Sequence, residues 1–313
     1  MVLLNDHLKA LYGCKVYKLA LSADVTCPNR DGTLSDKGCT FCSEGGSGEF
    51  SADRSRSVTE QIEEAKRRVS DKIKNGKYIA YFQSFSNTYA PVSYLKRIWY
   101  EAIRPEDVVI LSIGTRPDCL GDEVLKVLSE INRIKPVWVE LGLQTVHDAT
   151  AERINRCYPL SVYDEAVKRL RTAGIDVVTH VILGLPGETE EMMLETVRYV
   201  VGSGACGIKL QLLQILKGTV MAKEYASGNV PVMSLSEYAA LIKKAAAIIP
   251  DNVIVHRLTG DGPKSLLLAP LWSGDKKRVI NELQYFRTGS CSHDPQKIPS
   301  HEQYKSRSLL PPS

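Results

Sequence analysis

Short apolar runs alternate with longer amphipathic segments along most of the 313-residue chain. The apolar runs are rich in β-branched and aromatic residues, which is typical of strands. Several are apolar without interruption, as expected for parallel strands covered on both faces. They predict six strands, at Lys15–Leu21, Tyr78–Gln83, Val108–Ile113, Val137–Leu143, Ile175–Leu183 and Ile208–Leu216.

Helical periodicity fills the segments between these strands. Ser57 and Glu60 form a capping-box signature before the first helix. Strict alternation of strand and helix predicts a parallel α/β sheet with right-handed crossovers, either doubly wound or closed into a full or partial barrel. Later helices are predicted at Tyr94–Ile103, Leu120–Ile134, Ser161–Ala173, Glu188–Val201 and Ser234–Ile249.

The chemically unusual residues come directly after predicted strands. A loop with three cysteines (27–42) follows the first strand, Gly114–Asp118 the third, Gln144 the fourth and Gly184–Gly187 the fifth. No Gly-x-Gly-x-x-Gly motif follows the first strand, which disfavours a dinucleotide-binding fold. In a parallel barrel the carboxyl ends of the strands share one rim, where active sites lie. We therefore expect these segments to converge.

Cys27, Cys39 and Cys42 supply three closely spaced thiols. A structural zinc site requires four ligands, whereas an iron–sulfur cluster held by three cysteines keeps one iron open to a substrate or cofactor. The spacing favours the cluster. The alternative is a zinc site completed by a distant ligand such as His7 or His180.

The composition limits the class of protein but does not identify a function. With 43% hydrophobic residues the chain can bury a large core, and a net charge of +4 is too mild to name a partner. Eight cysteines in a chain of this length favour reduced thiols over a disulfide scaffold. We expect a cytoplasmic protein with no signal peptide and no membrane span. Residues 257–313 carry nine Lys/Arg and five Asp/Glu, which suggests either a phosphate-bearing partner or a solvated surface.

Four motifs, taken together, resemble the radical S-adenosylmethionine (SAM) enzymes. The resemblance is closest to the branch of the Elongator catalytic subunit and its short bacterial relatives of the YhcC/YtqA type, and it runs from about Val16 to Leu216. His256–Gly262 and Leu268–Ser273 also resemble the short bacterial group. The motifs are the cysteine loop, Thr115–Asp118, Val139–Thr145 and His180–Gly187.

This resemblance implies a partial (β/α)6 barrel of the TIM type in residues 1–225. Residues 226–313 would form a helical or mixed extension packed on the barrel, ending in a basic tail. The implied cofactors are a [4Fe–4S] cluster on Cys27, Cys39 and Cys42, and SAM on its open iron. A reductant such as flavodoxin or ferredoxin is implied as a partner, because reductive cleavage of SAM yields the 5′-deoxyadenosyl radical.

Five residues match SAM-contacting positions of the family. Glu140 resembles the ribose-binding carboxylate, and Gln144 matches a second SAM contact. Arg156 matches an arginine that faces the SAM carboxylate, and Gly184 and Gly187 would let the backbone approach the adenine. An inward Glu140 paired with a neighbouring Lys or Arg is the alternative for that residue, and a tight turn is the alternative for the glycines.

Two of the departures from the family pattern concern the cysteine loop and Arg156. The gaps between the three cysteines are eleven and two residues, where three and two are commonest. Related sequences often have Arg-Gly-His-Thr where this chain has Arg156-Cys157-Tyr158-Pro159. The second departure concerns the implied SAM contact of Arg156.

Substrate residues are expected on the inner face of the barrel. Lys209, Gln211 and Gln214 lie along the sixth strand, and His256 and Arg257 end a late apolar run. These side chains, with Arg116 after the third strand, can bind a polar substrate or serve as ordinary rim residues. Cys119, just beyond that rim, is a weak candidate for catalysis.

The Elongator-like resemblance implies tRNA as the partner and its wobble uridine as the substrate. In the short bacterial relatives the implied reaction converts a carboxymethylaminomethyl side chain to an aminomethyl group. Lys276, Lys277, Arg278 and Arg287 would then contact phosphates. A radical SAM enzyme for a small metabolite and a non-catalytic, zinc-stabilised RNA-binding protein are the alternatives.

Overall fold

A parallel sheet of eight strands forms the frame of the computed structural model, which describes residues 1–46, 48–73, 75–260 and 262–285. The sheet curls into a half-barrel with strand order β1-β9-β7-β6-β5-β4-β3-β2. Two further strands, β8 (Ile215–Leu216) and β10 (Leu267–Ala269), form an antiparallel pair. The sheet strands are β1 (Val2–Leu3), β2 (Val16–Leu21), β3 (Lys77–Phe82), β4 (Val108–Thr115), β5 (Val137–Gln144), β6 (Asp176–Leu183), β7 (Gly207–Leu212) and β9 (Ile254–Arg257).

Helices cover the outer face of the sheet and bury large side chains against it. Trp99, Tyr163 and Tyr238 lie fully buried in this layer. The capping box of Ser57 and Glu60 is formed as predicted. The helices are α1 (Leu4–Tyr12), α2 (Val58–Val69), α3 (Val92–Ile103), α4 (Asp122–Asn132), α5 (Asp148–Arg153), α6 (Leu160–Thr172), α7 (Glu190–Gly202), α8 (Val220–Ala226), α9 (Leu235–Ile248) and α10 (Lys276–Tyr285).

The predicted partial barrel is confirmed, with two short strands added to the predicted six. The predicted strand Ile208–Leu216 is too long: β7 ends at Leu212, and residues 215–216 pair with β10 instead. Apolar character continues through this break, so hydrophobicity alone could not reveal it. Strand β9 lies between β1 and β7, so residues beyond 225 contribute to the sheet. The division at residue 225 stays a prediction. Residues 286–313 of the predicted basic tail, which include Arg287, lie outside the described residues.

An apolar layer closes the half-barrel at the end opposite the carboxyl ends of the strands. Leu4 and Leu8 of α1 pack into this layer. Their partners are the first inward residues of the sheet strands, namely Val16, Ile79, Ile110, Trp138, Val178 and Ile254. The end of the half-barrel at the carboxyl ends of the strands contains a cavity. No helix among the described residues has the length and hydropathy to cross a bilayer.

Candidate active site

A cavity of ≈ 230 Å³ opens at the carboxyl ends of the strands. The topology therefore brings together segments that are far apart in sequence, as expected for a parallel barrel. Most of the site residues predicted from the sequence line this cavity: Cys27, Cys39, Cys42, Arg116, Glu140, Gln144, Arg156, Lys209, Gln211, Gln214 and Arg257.

Hydrogen bonds from two asparagines hold the cysteine loop against the segment that follows α5. Asn29 is fully buried, and its Nδ2 donates to Asn155 O at 2.6 Å and to Cys39 Sγ at 3.4 Å. Asn155 Nδ2 in turn donates to Gly38 O at 2.7 Å. Gly38 has φ +71°, a conformation that glycine adopts without strain. These bonds hold the loop that carries the thiols in one shape.

The three thiols fit an iron–sulfur cluster in their chemistry. Cys27, Cys39 and Cys42 line one cavity, and the Asn29 amide donates to one of the sulfurs, as amides do around cluster sulfurs. Among the described residues no three His, Cys, Asp or Glu side chains converge on a single metal ion. Cluster thiolates are not expected to converge, because each binds a different iron. Burial raises the pKa of Cys39 to about 12, so binding of iron must displace its proton.

Arg116 is a buried cation beside the cysteine loop. Its Nε and Nη2 donate to Asp118 at 2.9 and 2.7 Å, and Nη2 also donates to Arg156 O at 2.9 Å. The guanidinium lies over the Tyr158 ring, 5.0 Å from its centroid. It is also close enough to Cys27 and Cys39 to interact with both thiols. Although predicted to contact substrate, Arg116 thus lies on the cluster side of the cavity.

Arg156 organises the end of β5. Its Nη1 donates to the carbonyls of Leu143 and Thr145 at 3.1 and 2.6 Å, and Nε donates to Tyr158 O. These bonds stabilise the strand end where Gln144 adopts φ +67° and enters the cavity wall. The remaining Nη2 is buried without a hydrogen-bond acceptor among the described residues; Asp148 Oδ1 is 3.9 Å away. A charged donor in this state suits an anionic ligand group.

The corner that departs from the family motif keeps the backbone shape that a glycine would allow. Cys157 occupies the position of the related glycine and has φ +62°. Tyr158 occupies the position of the related histidine, and its hydroxyl donates to Gly142 O. The substitution therefore changes the side chains of this corner while Cys157 accepts a left-handed conformation that side chains disfavour.

Glu140 is the centre of a buried polar network. Its Oε1 accepts from Lys18 Nζ and Ser112 Oγ, both at 2.7 Å. Its Oε2 accepts from His180 Nε2 at 2.7 Å and from Lys209 Nζ. A carboxylate has about four acceptor positions, and here four donors occupy them. This geometry agrees with the alternative of an inward Glu paired with lysines, and the ribose contact stays a prediction.

The network has a defined charge state. Burial alone would raise the pKa of Glu140, but Lys18 and Lys209 hold it well below its usual range. Burial, reinforced by Lys209, lowers the pKa of His180 to about 4. The imidazole is therefore neutral at pH 7, donating from Nε2 to Glu140 and accepting at Nδ1 from Gln211 Nε2 at 3.3 Å.

Sequence reasoning missed several members of this network. Lys18, Tyr81 and Ser112 each lie two positions after an inward apolar residue of the same strand. Because side chains alternate between the faces of a strand, these three residues also point inward. The sequence signal was an apolar residue followed two positions later by a polar one, repeated on successive strands.

Four predicted site residues do not line the cavity. Gly184 and Gly187, both at φ +89°, shape the turn after β6, and a side chain on Gly184 would collide with Met233. The His256 ring packs edge-on against Trp138 at 4.9 Å, next to the apolar layer. Cys119 is buried, and burial together with Asp118 raises the pKa of its thiol. The geometry gives none of the four a contact with the cavity.

Comparison with known proteins places the chain in a family. The model of the radical SAM superfamily matches residues 27–200, and the model of the radical SAM C-terminal domain matches residues 205–285. Protein YtqA of Bacillus subtilis (strain 168) is 47% identical over 280 residues, which is 90% of this chain and 87% of that protein. Protein YhcC of Escherichia coli (strain K12) is 38% identical over 276 residues, 88% of each chain.

More distant matches follow the same branch. A tRNA uridine(34) acetyltransferase of Methanocaldococcus jannaschii is 26% identical over 180 residues, 56% of this chain and 32% of that protein. The structure of archaeal Methanocaldococcus infernus Elp3 superposes with a TM-score of 0.65 at 16% identity. The superposition covers 88% of this chain but only 64% of the Elp3 chain, and it shows the shared fold.

These matches confirm the predicted recognition and support an enzymatic role. YtqA and YhcC match 90% and 88% of this chain, and the residues matched by the radical SAM model include the cysteine loop and Glu140. The chain therefore belongs to the radical SAM superfamily, whose cofactors are the [4Fe–4S] cluster and the SAM that the sequence predicts.

Proposed function

We propose that this enzyme modifies the wobble uridine of tRNA, converting a carboxymethylaminomethyl side chain to an aminomethyl group. The observation that carries the proposal is the match over 56% of this chain with a protein named tRNA uridine(34) acetyltransferase. Lys276, Lys277 and Arg278, exposed at the start of α10, provide cations of the kind that bind phosphates. Both observations favour an RNA substrate over a free metabolite.

The lining of the cavity supports specific cofactor roles for these residues. Cys27, Cys39 and Cys42 would hold the cluster, and Arg156 and Gln144 would contact SAM. When bound, the cluster and SAM supply a 5′-deoxyadenosyl radical that abstracts a substrate hydrogen. The ribose contact implied for Glu140 requires the carboxylate to release one of its four donors. A reductant such as flavodoxin or ferredoxin would provide the electron.

The test is the nucleoside profile of tRNA from a strain that lacks the gene. We expect carboxymethylaminomethyluridine to accumulate and aminomethyluridine with its derivatives to disappear, as measured by liquid chromatography and mass spectrometry. Complementation with the wild-type gene should restore the profile, and complementation with Cys39→Ala should not. An unchanged wobble-uridine profile in the deletion strain would contradict the proposal and favour a small-metabolite substrate.

A further inference from the structure

The described part of the cavity wall carries more basic than acidic side chains. Among the described residues that line it, five are Lys or Arg and two are Glu. Glu49 accepts a hydrogen bond from Ser43, and all four acceptor positions of Glu140 are occupied. The cationic residues are Arg30, Arg116, Arg156, Lys209 and Arg257.

These cations form two groups on opposite sides of the half-barrel. Arg30 donates to Cys42 O within the cysteine loop, and Arg116 donates to the carbonyl of Arg156, which lies in the corner after α5. Lys209 lies on β7 and Arg257 at the end of β9, separated from β2 and its cysteine loop by the strands β3 to β6. We call Lys209 and Arg257 the far wall. The cluster ligands and Arg156 belong to the other side, whereas Glu140 of β5 lies between the two groups and contacts Lys209.

The far wall is built so that its cations reach the cavity. Lys209 is only 5% exposed, and its ammonium group donates to Glu140 and, at 3.2 Å, to Tyr81 Oη. An ammonium group has three hydrogens, so one remains after these two bonds. The pairing of β7 with β9 shifts register between Ile208 and Lys209, and this irregularity brings Arg257 into the cavity wall.

Glu140 is a single carboxylate that pairs with two lysines, so it cannot neutralise both of them. Lys18 and Lys209 share this one carboxylate. Burial lowers the pKa of Lys209, and the contact with Glu140 opposes that shift. With both lysines protonated, Lys18, Lys209 and Glu140 together carry one net positive charge. A buried cation with an unused donor attracts an anion strongly, because charge-assisted hydrogen bonds gain strength away from water. The depth of the wall favours a small terminal group over a nucleic-acid backbone.

We propose that the far wall, Lys209 with Arg257, binds a carboxylate carried by the substrate. The inference rests on the proposed function, in which the carboxymethylamino group supplies that carboxylate. Binding at the far wall holds the acidic end of the substrate side chain across the cavity from the cysteine loop. The wall therefore selects the carboxylated nucleoside and releases the aminomethyl product, which lacks the anion.

Binding to two tRNAs tests the inference. One tRNA carries carboxymethylaminomethyluridine at the wobble position and the other aminomethyluridine. Both are titrated anaerobically against the cluster-loaded protein, and SAM is titrated separately. Lys209→Met and Arg257→Gln should each weaken binding of the carboxylated tRNA about tenfold or more. The affinity for the aminomethyl tRNA should not change, and Arg257→Gln should also leave the affinity for SAM unchanged.

Controls separate the alternatives. Lys244→Met removes an exposed lysine of α9 that pairs with Glu190 and should leave all three affinities unchanged. Arg257→Gln leaves the four donors of Glu140 in place, so it stays informative if Lys209→Met does not fold. Equal weakening of both tRNAs would indicate a phosphate contact, and weaker SAM binding by Arg257→Gln would indicate a cofactor contact; either result overturns the inference.

The proposed function can fail separately. If the wild-type protein converts neither tRNA, the function is wrong and the inference falls with it. If the wild type converts the carboxylated tRNA but Lys209→Met and Arg257→Gln bind it normally, the inference alone is overturned.

Discussion

Replacement of Glu140 by Gln tests whether the buried network stabilises the barrel. The carboxylate accepts four hydrogen bonds, three of them from Lys18, His180 and Lys209. An amide has one acceptor oxygen, and its NH2 group would face two donors. At least two bonds are therefore lost, and two lysines are left without their counter-ion.

The expected cost follows from these losses. Hydrogen bonds that involve a charged group contribute about 1.5–3 kcal/mol each, so two lost bonds correspond to about 3–6 kcal/mol. Breaking a buried ion pair costs about 3–5 kcal/mol in other proteins, which agrees. Because the Lys18 side chain is 23% exposed, water can partly replace its partner. We therefore expect Glu140→Gln to lower the free energy of unfolding by about 3 kcal/mol.

Urea unfolding of the wild type and the variant at pH 7, followed by circular dichroism, measures this difference. Glu130→Gln is the matched control, since it removes a carboxylate that pairs with Lys96 on the surface. This control should leave the unfolding free energy almost unchanged. A loss at Glu140 no larger than that of the control would refute the network as a stabilising element. Folded Glu140→Gln protein that binds SAM normally would also argue against the ribose contact.

Three further predictions concern the cluster, the backbone and pH. Cys27→Ala, Cys39→Ala and Cys42→Ala should each lose cluster iron on anaerobic reconstitution, whereas Cys206→Ala should retain it; iron content equal in all four would undo the ligand assignment. Cys157→Gly should stabilise the protein by about 1 kcal/mol by relieving φ +62°, and Cys157→Ala should not, as thermal unfolding can check. The pKa of His180 is about 4 in the folded protein and about 6.5 in the unfolded chain. The stability that the neutral imidazole contributes to the fold is therefore present above pH 6.5 and is lost as pH falls towards 4. Urea unfolding should show a loss of about 3 kcal/mol across this window, and His180→Gln should flatten it; an unchanged slope would contradict the assignment.

The alternation of strands and helices was enough to predict where the site lies. Cys27, Arg116 and Gln144 follow different strands, and a parallel barrel must bring the ends of those strands to one rim. Period-two and period-3.6 patterns are local, so a single sequence reveals them. The cysteine spacing adds the chemistry of the site.

Contacts that depend on distant segments could not be predicted in the same way. Strand β9 joins the sheet beside β7, although more than forty residues separate them in sequence. β1 has two residues, too few for any periodic signal. The partners of Glu140 come from four other strands, and their registers decide which donors reach the carboxylate. The sequence indicated which side chains point into the barrel, but it did not indicate which of them form hydrogen bonds with one another.

Turnover of a defined tRNA is the most direct test of the proposed activity. Anaerobically reconstituted protein is mixed with SAM, dithionite and tRNA that carries carboxymethylaminomethyluridine at the wobble position. We predict that aminomethyluridine and 5′-deoxyadenosine appear together, and that neither forms with Cys39→Ala protein. Release of 5′-deoxyadenosine with no change in the uridine would contradict the proposed substrate, and absence of 5′-deoxyadenosine would contradict radical SAM catalysis by this protein.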